Sequence, residues 1–131
     1  MSSPRKRIFE TAERRRYERI STGLDTLLAV AVVLPDGTEC PTKPIDMSSG
    51  GVGLLWPLER QVVIDVGQRV TLHIHPRTSD VSAMVHATVR WLSADNTGNI
   101  HCGLEFEDVY EIFEHVMPTL WQLCHALHGR R

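Results

Sequence analysis

Much of the chain alternates between apolar and polar positions with a period of two, which predicts β-strands. Residues 69–75 and 99–106 alternate in this way, and a hairpin turn at residues 95–98 precedes the second of them. The longest alternating stretch is residues 81–93, whose predicted shared face holds Val81, Ala83, Val85, Ala87, Val89 and Trp91. We therefore expect each of these strands to bury one face in a core.

Three further stretches are predicted to be strands from their composition and the turns beside them. Residues 26–34 are almost wholly apolar and rich in Val and Leu, and a Pro-Asp-Gly turn follows them. Residues 38–46 are expected to be irregular or to lie at an edge, because Pro41 and Pro44 cannot donate to a ladder. With residues 50–55 the set reaches six, and six strands joined by short turns predict a small antiparallel β-barrel without exposed edges.

The apolar period changes to about 3.6 after residue 107, which predicts an amphipathic C-terminal α-helix over residues 108–131. A kink or a restart is expected at Pro118, which would remove a hydrogen bond from the middle of the helix. The apolar face is expected to pack on the barrel, although a homodimer or an effector protein would also fit it. The mainly β fold is thus predicted as a flexible arm (residues 1–22), a barrel (23–107) and the helix.

Composition places the chain among cytoplasmic globular proteins of one domain. Of its 131 residues 42% are hydrophobic and 23% charged, and no apolar run approaches the roughly 20 residues that span a bilayer. Three cysteines without C-x-x-C spacing indicate reduced thiols. We find no signal sequence, P-loop, nucleophile elbow or dinucleotide fingerprint, and therefore expect a binding module and not an enzyme.

Charge is distributed unevenly, although the formal net charge is only −2. Residues 1–19 hold seven basic and three acidic residues, whereas residues 20–131 hold seven basic and 13 acidic residues. General nucleic-acid binding favours a basic face on the folded body. A basic arm on an acidic body instead favours a small anionic ligand. We therefore expect neither binding to nucleic acid nor insertion into a membrane.

Two of the arginines in the arm, Arg15 and Arg19, are four residues apart, which puts both side chains on one side of a strand or a helix. A guanidinium group grips a phosphate through two parallel hydrogen bonds, and the same fork fits O6 and N7 of guanine. Arg14 and Arg16 add charge beside them. Taken alone, this stretch is more typical of a solvated basic tail than of a ligand site.

A second candidate feature is the Asp-Ser-Gly turn (residues 46–51), in which Asp46, Ser48 and Gly51 follow a predicted strand. A carboxylate is complementary to the N1–H and N2–H donors of guanine, or it can hold an arginine in place. A hydroxyl and nearby amides suit a phosphate oxygen, and a glycine lets a ligand approach closely. Taken alone the pattern predicts an ordinary hairpin turn; together with the arm it predicts one site for an anionic, guanine-containing ligand.

Two groups of residues are candidates for binding a metal ion. His73 and His75 share a strand face, and Cys124, His125 and His128 fall within about one helical turn. Neither group has the three or four ligands of a structural zinc site, so we expect no metal and no cofactor.

At these residues the sequence resembles the PilZ family of bacterial cyclic di-GMP receptors. Residues 15–19 (RRYER) match the RxxxR motif of that family, and residues 46–51 (DMSSGG) match its (D/N)xSxxG motif. The family's flanking patterns are matched by residues 67–72, 89–91 and 103–106. The resemblance covers about residues 14–107 and implies a six-stranded antiparallel barrel with a C-terminal helix.

The resemblance also implies a ligand site made of Arg14, Arg15, Arg19, Asp46, Ser48, Gly51 and Trp91. In it the arginines would bind phosphate and guanine edges, and Asp46 would meet a guanine edge or orient an arginine. Trp91 would either stack on a guanine or belong to the core, because its alternate neighbours are apolar.

The function expected from this resemblance is that of a cyclic di-GMP receptor that signals in trans to an effector protein. Its ligand would order the arm by bridging it to the turn at residues 46–51. Two alternatives are a PilZ-like protein–protein adaptor that does not bind nucleotide and a small nucleic-acid binder with a basic arm. Intact motifs argue against the first, and the acidic body argues against the second.

Overall fold

Seven antiparallel strands form one sheet in the computed structural model, which describes residues 19–56 and 64–128. The order across the sheet is β2-β1-β5-β6-β7-β4-β3. The strands are β1 (Leu28–Val33), β2 (Glu39–Pro41), β3 (Lys43–Met47), β4 (Gly51–Trp56), β5 (Arg69–Pro76), β6 (Ala83–Ala94) and β7 (Ile100–Phe106). The mainly β class and the antiparallel pairing agree with the sequence-based expectation.

Among the described residues, the helical segments lie before β1 and after β7. A short α1 (Leu24–Leu27) precedes the sheet, and after β7 come α2 (Val109–Glu111), a π-helical turn (Ile112–Val116) and α3 (Met117–His128). The side chain of Asp108 accepts a hydrogen bond from the Glu111 amide and caps the first turn. No helix within the described ranges is long and apolar enough to cross a membrane.

The C-terminal helix is confirmed, and of the two outcomes expected at Pro118 the structure has the restart, because α3 begins at Met117 and Pro118 is its second residue. The Met117 amide donates to the Ile112 carbonyl, five residues back, so the chain enters α3 through a wide turn. Pro118 has no N–H group, so no backbone donor is left unpaired at this position, where the hydrogen-bond register changes.

The core lies between one face of the sheet and the C-terminal helix. Alternate residues of the strands point into it, such as Leu72 and Ile74 of β5, which are fully buried. The helix contributes four side chains with no exposed surface: Ile112, Val116, Met117 and Leu120. Their apolar face is thus packed within the domain, as the 3.6-residue period predicts.

The predicted six-stranded barrel is wrong in strand number and in closure. Residues 38–46 form two strands, β2 on β1 and β3 on β4, which are separated at Thr42. The Thr42 amide and hydroxyl both donate to the Val30 carbonyl, at 2.9 and 2.8 Å. The resulting short strands β2 and β3 are the two edges of an open sheet. The strand predicted over residues 26–34 is also shorter, because residues 24–27 are helical.

The hairpin between β6 and β7 depends on Asp95. Its Oδ1 atom accepts hydrogen bonds from the amides of Thr97 and Asn99, at 2.8 and 3.0 Å, and from the Thr97 hydroxyl. Hydrogen bonds from Thr97 and then from His101 hold the pKa of Asp95 far below its ordinary value. The ionised carboxylate is therefore the form that stabilises this turn.

Asp95→Ala is expected to lower the urea midpoint of unfolding at pH 7. Because the folded-state pKa is depressed, the stabilisation is present above the unfolded pKa of about 3.9 and is lost as the pH falls below it. The difference in urea midpoint between wild type and Asp95→Ala should therefore become smaller as the pH falls from about 5 to about 3. The exposed Asp80, replaced by alanine, is the control; an equal loss there, or a difference independent of pH, would contradict the assignment.

Candidate functional site

Two β-bulges shape the outer face of the sheet. The register between β3 and β4 shifts between Pro44 and Asp46, and the register between β6 and β7 shifts between Val89 and Trp91. Each bulge inserts one residue, Ile45 or Arg90, and a shift of one residue moves the following side chain to the opposite face. Asp46 and Trp91 consequently point outward, away from the core.

The predicted shared face of residues 81–93 is therefore wrong at its end. Val89 is completely buried, whereas Trp91 is 49% exposed. The assignment of Trp91 to the core does not hold. Its stacking on a ligand remains a prediction.

Asp46 and Trp91 stand at the two ends of a row that crosses four strands. Asp46 pairs with Gly53, Gly53 with Gly103, and Gly103 with Trp91. A Cβ atom at Gly53 would lie 2.6 Å from Asp46 Oδ1, and one at Gly103 would collide with Nε1 of the Trp91 indole. The two glycines are thus the floor over which both side chains lie, and a larger residue at either position would displace Asp46 or Trp91.

A groove of about 500 Å³ opens above this row. Its lining includes the side chains of Arg19, Asp46, Ser48, Arg90, Trp91 and Glu105, with glycine backbone between them. Five of the seven sequence-predicted site residues lie in the described ranges, and the groove brings all five together: Arg19, Asp46, Ser48, Gly51 and Trp91.

Arg19 is held over the groove by Asp46. Its Nη2 atom lies 2.6 Å from Asp46 Oδ1, which also accepts from the Gly53 amide at 3.1 Å. Next to it, Ile20 and Met47 exchange two backbone hydrogen bonds, at 2.7 and 2.9 Å, which anchor the chain after the arm. Of the two roles left open for Asp46, orienting an arginine is the one seen in this structure.

The Asp-Ser-Gly turn is held by its own hydrogen bonds. Ser48 is 2% exposed; its hydroxyl accepts from the Gly50 amide at 3.1 Å, and its amide donates to the Gly51 carbonyl at 2.9 Å. A Cβ atom at Gly51 would collide with the Leu104 carbonyl of β7. Ser48 and Gly51 therefore shape the turn, which accounts for both residues before any ligand is considered.

A second ion pair in the groove, between Arg90 and Glu105, was not predicted from the sequence. Arg90 Nη2 lies 2.8 Å from Glu105 Oε1, and both side chains are 57% exposed. Both residues lie in stretches that match flanking patterns of the PilZ family, residues 89–91 and 103–106. Strict alternation along a strand nevertheless puts Arg90 and Trp91 on opposite faces, so it could not predict that both point outward. The bulge at Arg90 is the feature that places the Trp91 indole on the same face as this pair.

Arg14 and Arg15 lie outside the described residues, as does the rest of the predicted arm before residue 19. Their roles stay predictions. No group of three or more potential metal ligands occurs within residues 19–56 and 64–128. The ring nitrogen Nδ1 of His73 instead contacts Glu39 Oε1 at 2.8 Å, and that of His75 contacts the Val81 carbonyl at 2.7 Å.

Comparison with known proteins gives one family. The profile of the PilZ domain matches residues 13–116, which include both motifs and all the groove residues. A search of curated proteins gives no significant match.

Solved structures share the fold at low sequence identity. The PilZ domain of YcgR from Escherichia coli with c-di-GMP has a TM-score of 0.61 and 20% identity, over 90% of this chain and 99% of that one. The K. pneumonia MrkH–c-di-GMP complex gives 0.65 and 12%, over 89% of this chain and 56% of that one. The motility inhibitor MotI/DgrA of Bacillus subtilis gives 0.60 and 22%, over 90% and 54%. The chain thus spans about half the length of the last two proteins.

Proposed function

Because the chain belongs to the PilZ domain family, we propose that it is a cyclic di-GMP receptor whose ligand lies in the groove between Arg19 and Trp91. The observation that carries this proposal is the oriented Arg19–Asp46 pair at one end of a glycine floor, with an exposed indole at the other. The YcgR and MrkH structures of similar fold both contain c-di-GMP, which supports the choice of ligand.

The groove has the chemistry that a guanine nucleotide needs. Arg19 uses one nitrogen for Asp46, and its other donors remain for a phosphate oxygen or for O6 and N7 of guanine. The glycine floor lets a flat base approach the backbone, and Trp91 offers an aromatic face for stacking. The ligand's negative charge would be met by Arg19 and Arg90 and by the arm.

We further propose that Arg14 and Arg15 close over the bound ligand and that the ordered arm signals in trans to an effector protein in the cytoplasm. Residues 1–19 carry an excess of four positive charges, so an anionic ligand would relieve repulsion as the arm orders. The Phe106 amide donates to the Gly50 carbonyl at 3.0 Å, which links the turn at the groove to the end of β7 and the helix after it. The proposed activity is binding, without catalysis.

Calorimetric titration with cyclic di-GMP tests this function. Wild type is expected to bind saturably, and Arg19→Ala to bind about tenfold more weakly or worse, since a hydrogen bond to a charged group contributes roughly 1.5–3 kcal/mol. Arg15→Ala/Arg19→Ala should lose binding further. Arg77→Ala, which removes an exposed arginine outside the groove, should bind like wild type.

GTP and a short DNA duplex are the competing ligands in the same experiment. No heat with cyclic di-GMP at tens of micromolar would sink the proposal and favour an adaptor that does not bind nucleotide. Tight duplex binding with a steep salt dependence would favour the nucleic-acid binder instead.

A further inference from the structure

The groove contains two arginine–carboxylate pairs, and the proposed function so far assigns recognition of a base to only one of them. The second pair joins Arg90 to Glu105 at 2.8 Å beside Trp91. We propose that this pair is a second guanine-recognition subsite, which makes the groove selective for a cyclic dinucleotide with guanine at both positions. The inference rests on the proposed function and adds to it the reading of the second base.

The two pairs lie on different strands around the same glycine floor. Asp46 is on β3 and Glu105 on β7, two strand spacings apart, which is about 10 Å. Gly51 and Gly53 of β4 lie between them, because Gly51 pairs with Glu105 and Gly53 with Asp46. A ligand over this floor therefore meets one pair at each side.

An arginine beside a carboxylate matches one continuous edge of guanine. Guanine presents N7 and O6 as acceptors and, next to them, N1–H and N2–H as donors. A guanidinium at O6 and N7 with a carboxylate at N1–H and N2–H would satisfy all four groups, and the two side chains would stay adjacent. Adenine presents an N6 amino donor where guanine has O6, so Arg90 would face a donor and Glu105 would lose one.

Charge also favours this role for Glu105 over that of a bystander. An unpaired carboxylate in the groove would repel the phosphates of a cyclic dinucleotide, but Arg90 neutralises it. Glu105 has a second oxygen beyond the one that contacts Arg90, and the side chain is 57% exposed on the groove side of β7. It can therefore accept from a base without leaving its partner.

Stabilisation of the sheet does not account for the pair. Ion pairs this exposed contribute little to folding. The bulge that places Arg90 beside Trp91 interrupts a ladder that regular pairing would have continued. Both features fit a ligand subsite with the indole as its stacking surface.

The test compares three cyclic dinucleotides of the same 3′,5′ linkage by calorimetry: cyclic di-GMP, cyclic GMP-AMP and cyclic di-AMP. Wild type is expected to bind cyclic GMP-AMP roughly 5- to 150-fold more weakly than cyclic di-GMP, the discrimination of one good bidentate contact. In Glu105→Gln the ratio of the two dissociation constants should fall toward one, and cyclic di-GMP itself should bind more weakly. Glu107→Gln is the matched control, because Glu107 pairs with Arg69 outside the groove.

The outcomes separate this inference from the function on which it rests. If wild type binds cyclic di-GMP but Glu105→Gln keeps the wild-type ratio, the second subsite is excluded and the receptor function stands. Tighter cyclic di-GMP binding by Glu105→Gln would mean that the carboxylate only repels the ligand, which also overturns the inference. If wild type binds no cyclic di-GMP, both fail together.

Discussion

Gly51→Ala is expected to destabilise the fold and to abolish cyclic di-GMP binding together. The added methyl group would collide with the Leu104 carbonyl, which is backbone and cannot rotate away. The strands β4 and β7 would have to separate beside the turn that carries Ser48 and Asp46. Overpacking of this kind costs about 1–3 kcal/mol, and a collision with backbone belongs at the upper end of that range.

Urea unfolding and calorimetric titration of the same preparation measure the two effects. Gly37→Ala is the matched control, because Gly37 has a positive φ of 87° and open space around it. Gly37→Ala should lower the free energy of unfolding by about 1 kcal/mol through conformational strain alone. Its ligand binding should be that of wild type. If Gly51→Ala unfolded no more easily than Gly37→Ala, close packing against β7 would not be the reason for glycine at position 51.

Gly103→Leu is expected to eliminate measurable cyclic di-GMP binding, a loss of more than about 100-fold, while the protein stays folded. Even a Cβ atom at this position collides with the Trp91 indole, so a leucine would displace the ring and fill the floor of the groove. Base–aromatic stacking alone contributes roughly 1–3 kcal/mol, and the blocked approach adds to that loss. Trp91 is half-exposed and can move outward, so the core should be spared.

Tryptophan fluorescence and titration of Gly103→Leu test both parts. The emission of Trp91 should shift to longer wavelength as its ring becomes more exposed. Ser93→Leu adds the same bulk at an exposed position of β6 outside the groove and should bind like wild type. Wild-type affinity in Gly103→Leu would show that the ligand does not rest on this floor.

The regular parts of the fold could be predicted from the sequence because apolar residues recur along strands and helices with the period of the element. The alternation at residues 69–75 corresponds to β5, and the 3.6-residue period after residue 107 corresponds to the C-terminal helix. The pairing of Arg19 with Asp46 could be anticipated from two motifs, since each supplies one charged partner. The roles of Arg15, the other arginine of the first motif, and of Arg14 beside it stay untested predictions.

What the sequence did not predict are the departures from regularity. The closed barrel was wrong at residues 38–46, where one expected strand divides at Thr42 into β2 and β3, the two edges of the sheet. The inward position that alternation predicts for Trp91 was wrong, because a bulge reverses the alternation after Val89. Both are decided by contacts with distant strands, and periodicity within one strand carries no information about them.

The bulges have a consequence for how this chain should be aligned with its relatives. Removing Ile45 or Arg90 would restore uninterrupted alternation and would turn Asp46 or Trp91 toward the core. Substitutions elsewhere on these strands leave the groove in place, whereas a single-residue deletion there erases it. An alignment guided by buried positions alone would thus be displaced by one residue at Asp46 and at Trp91. Gly53 and Gly103, which face each other across the two strands, are the positions from which such alignments should be anchored.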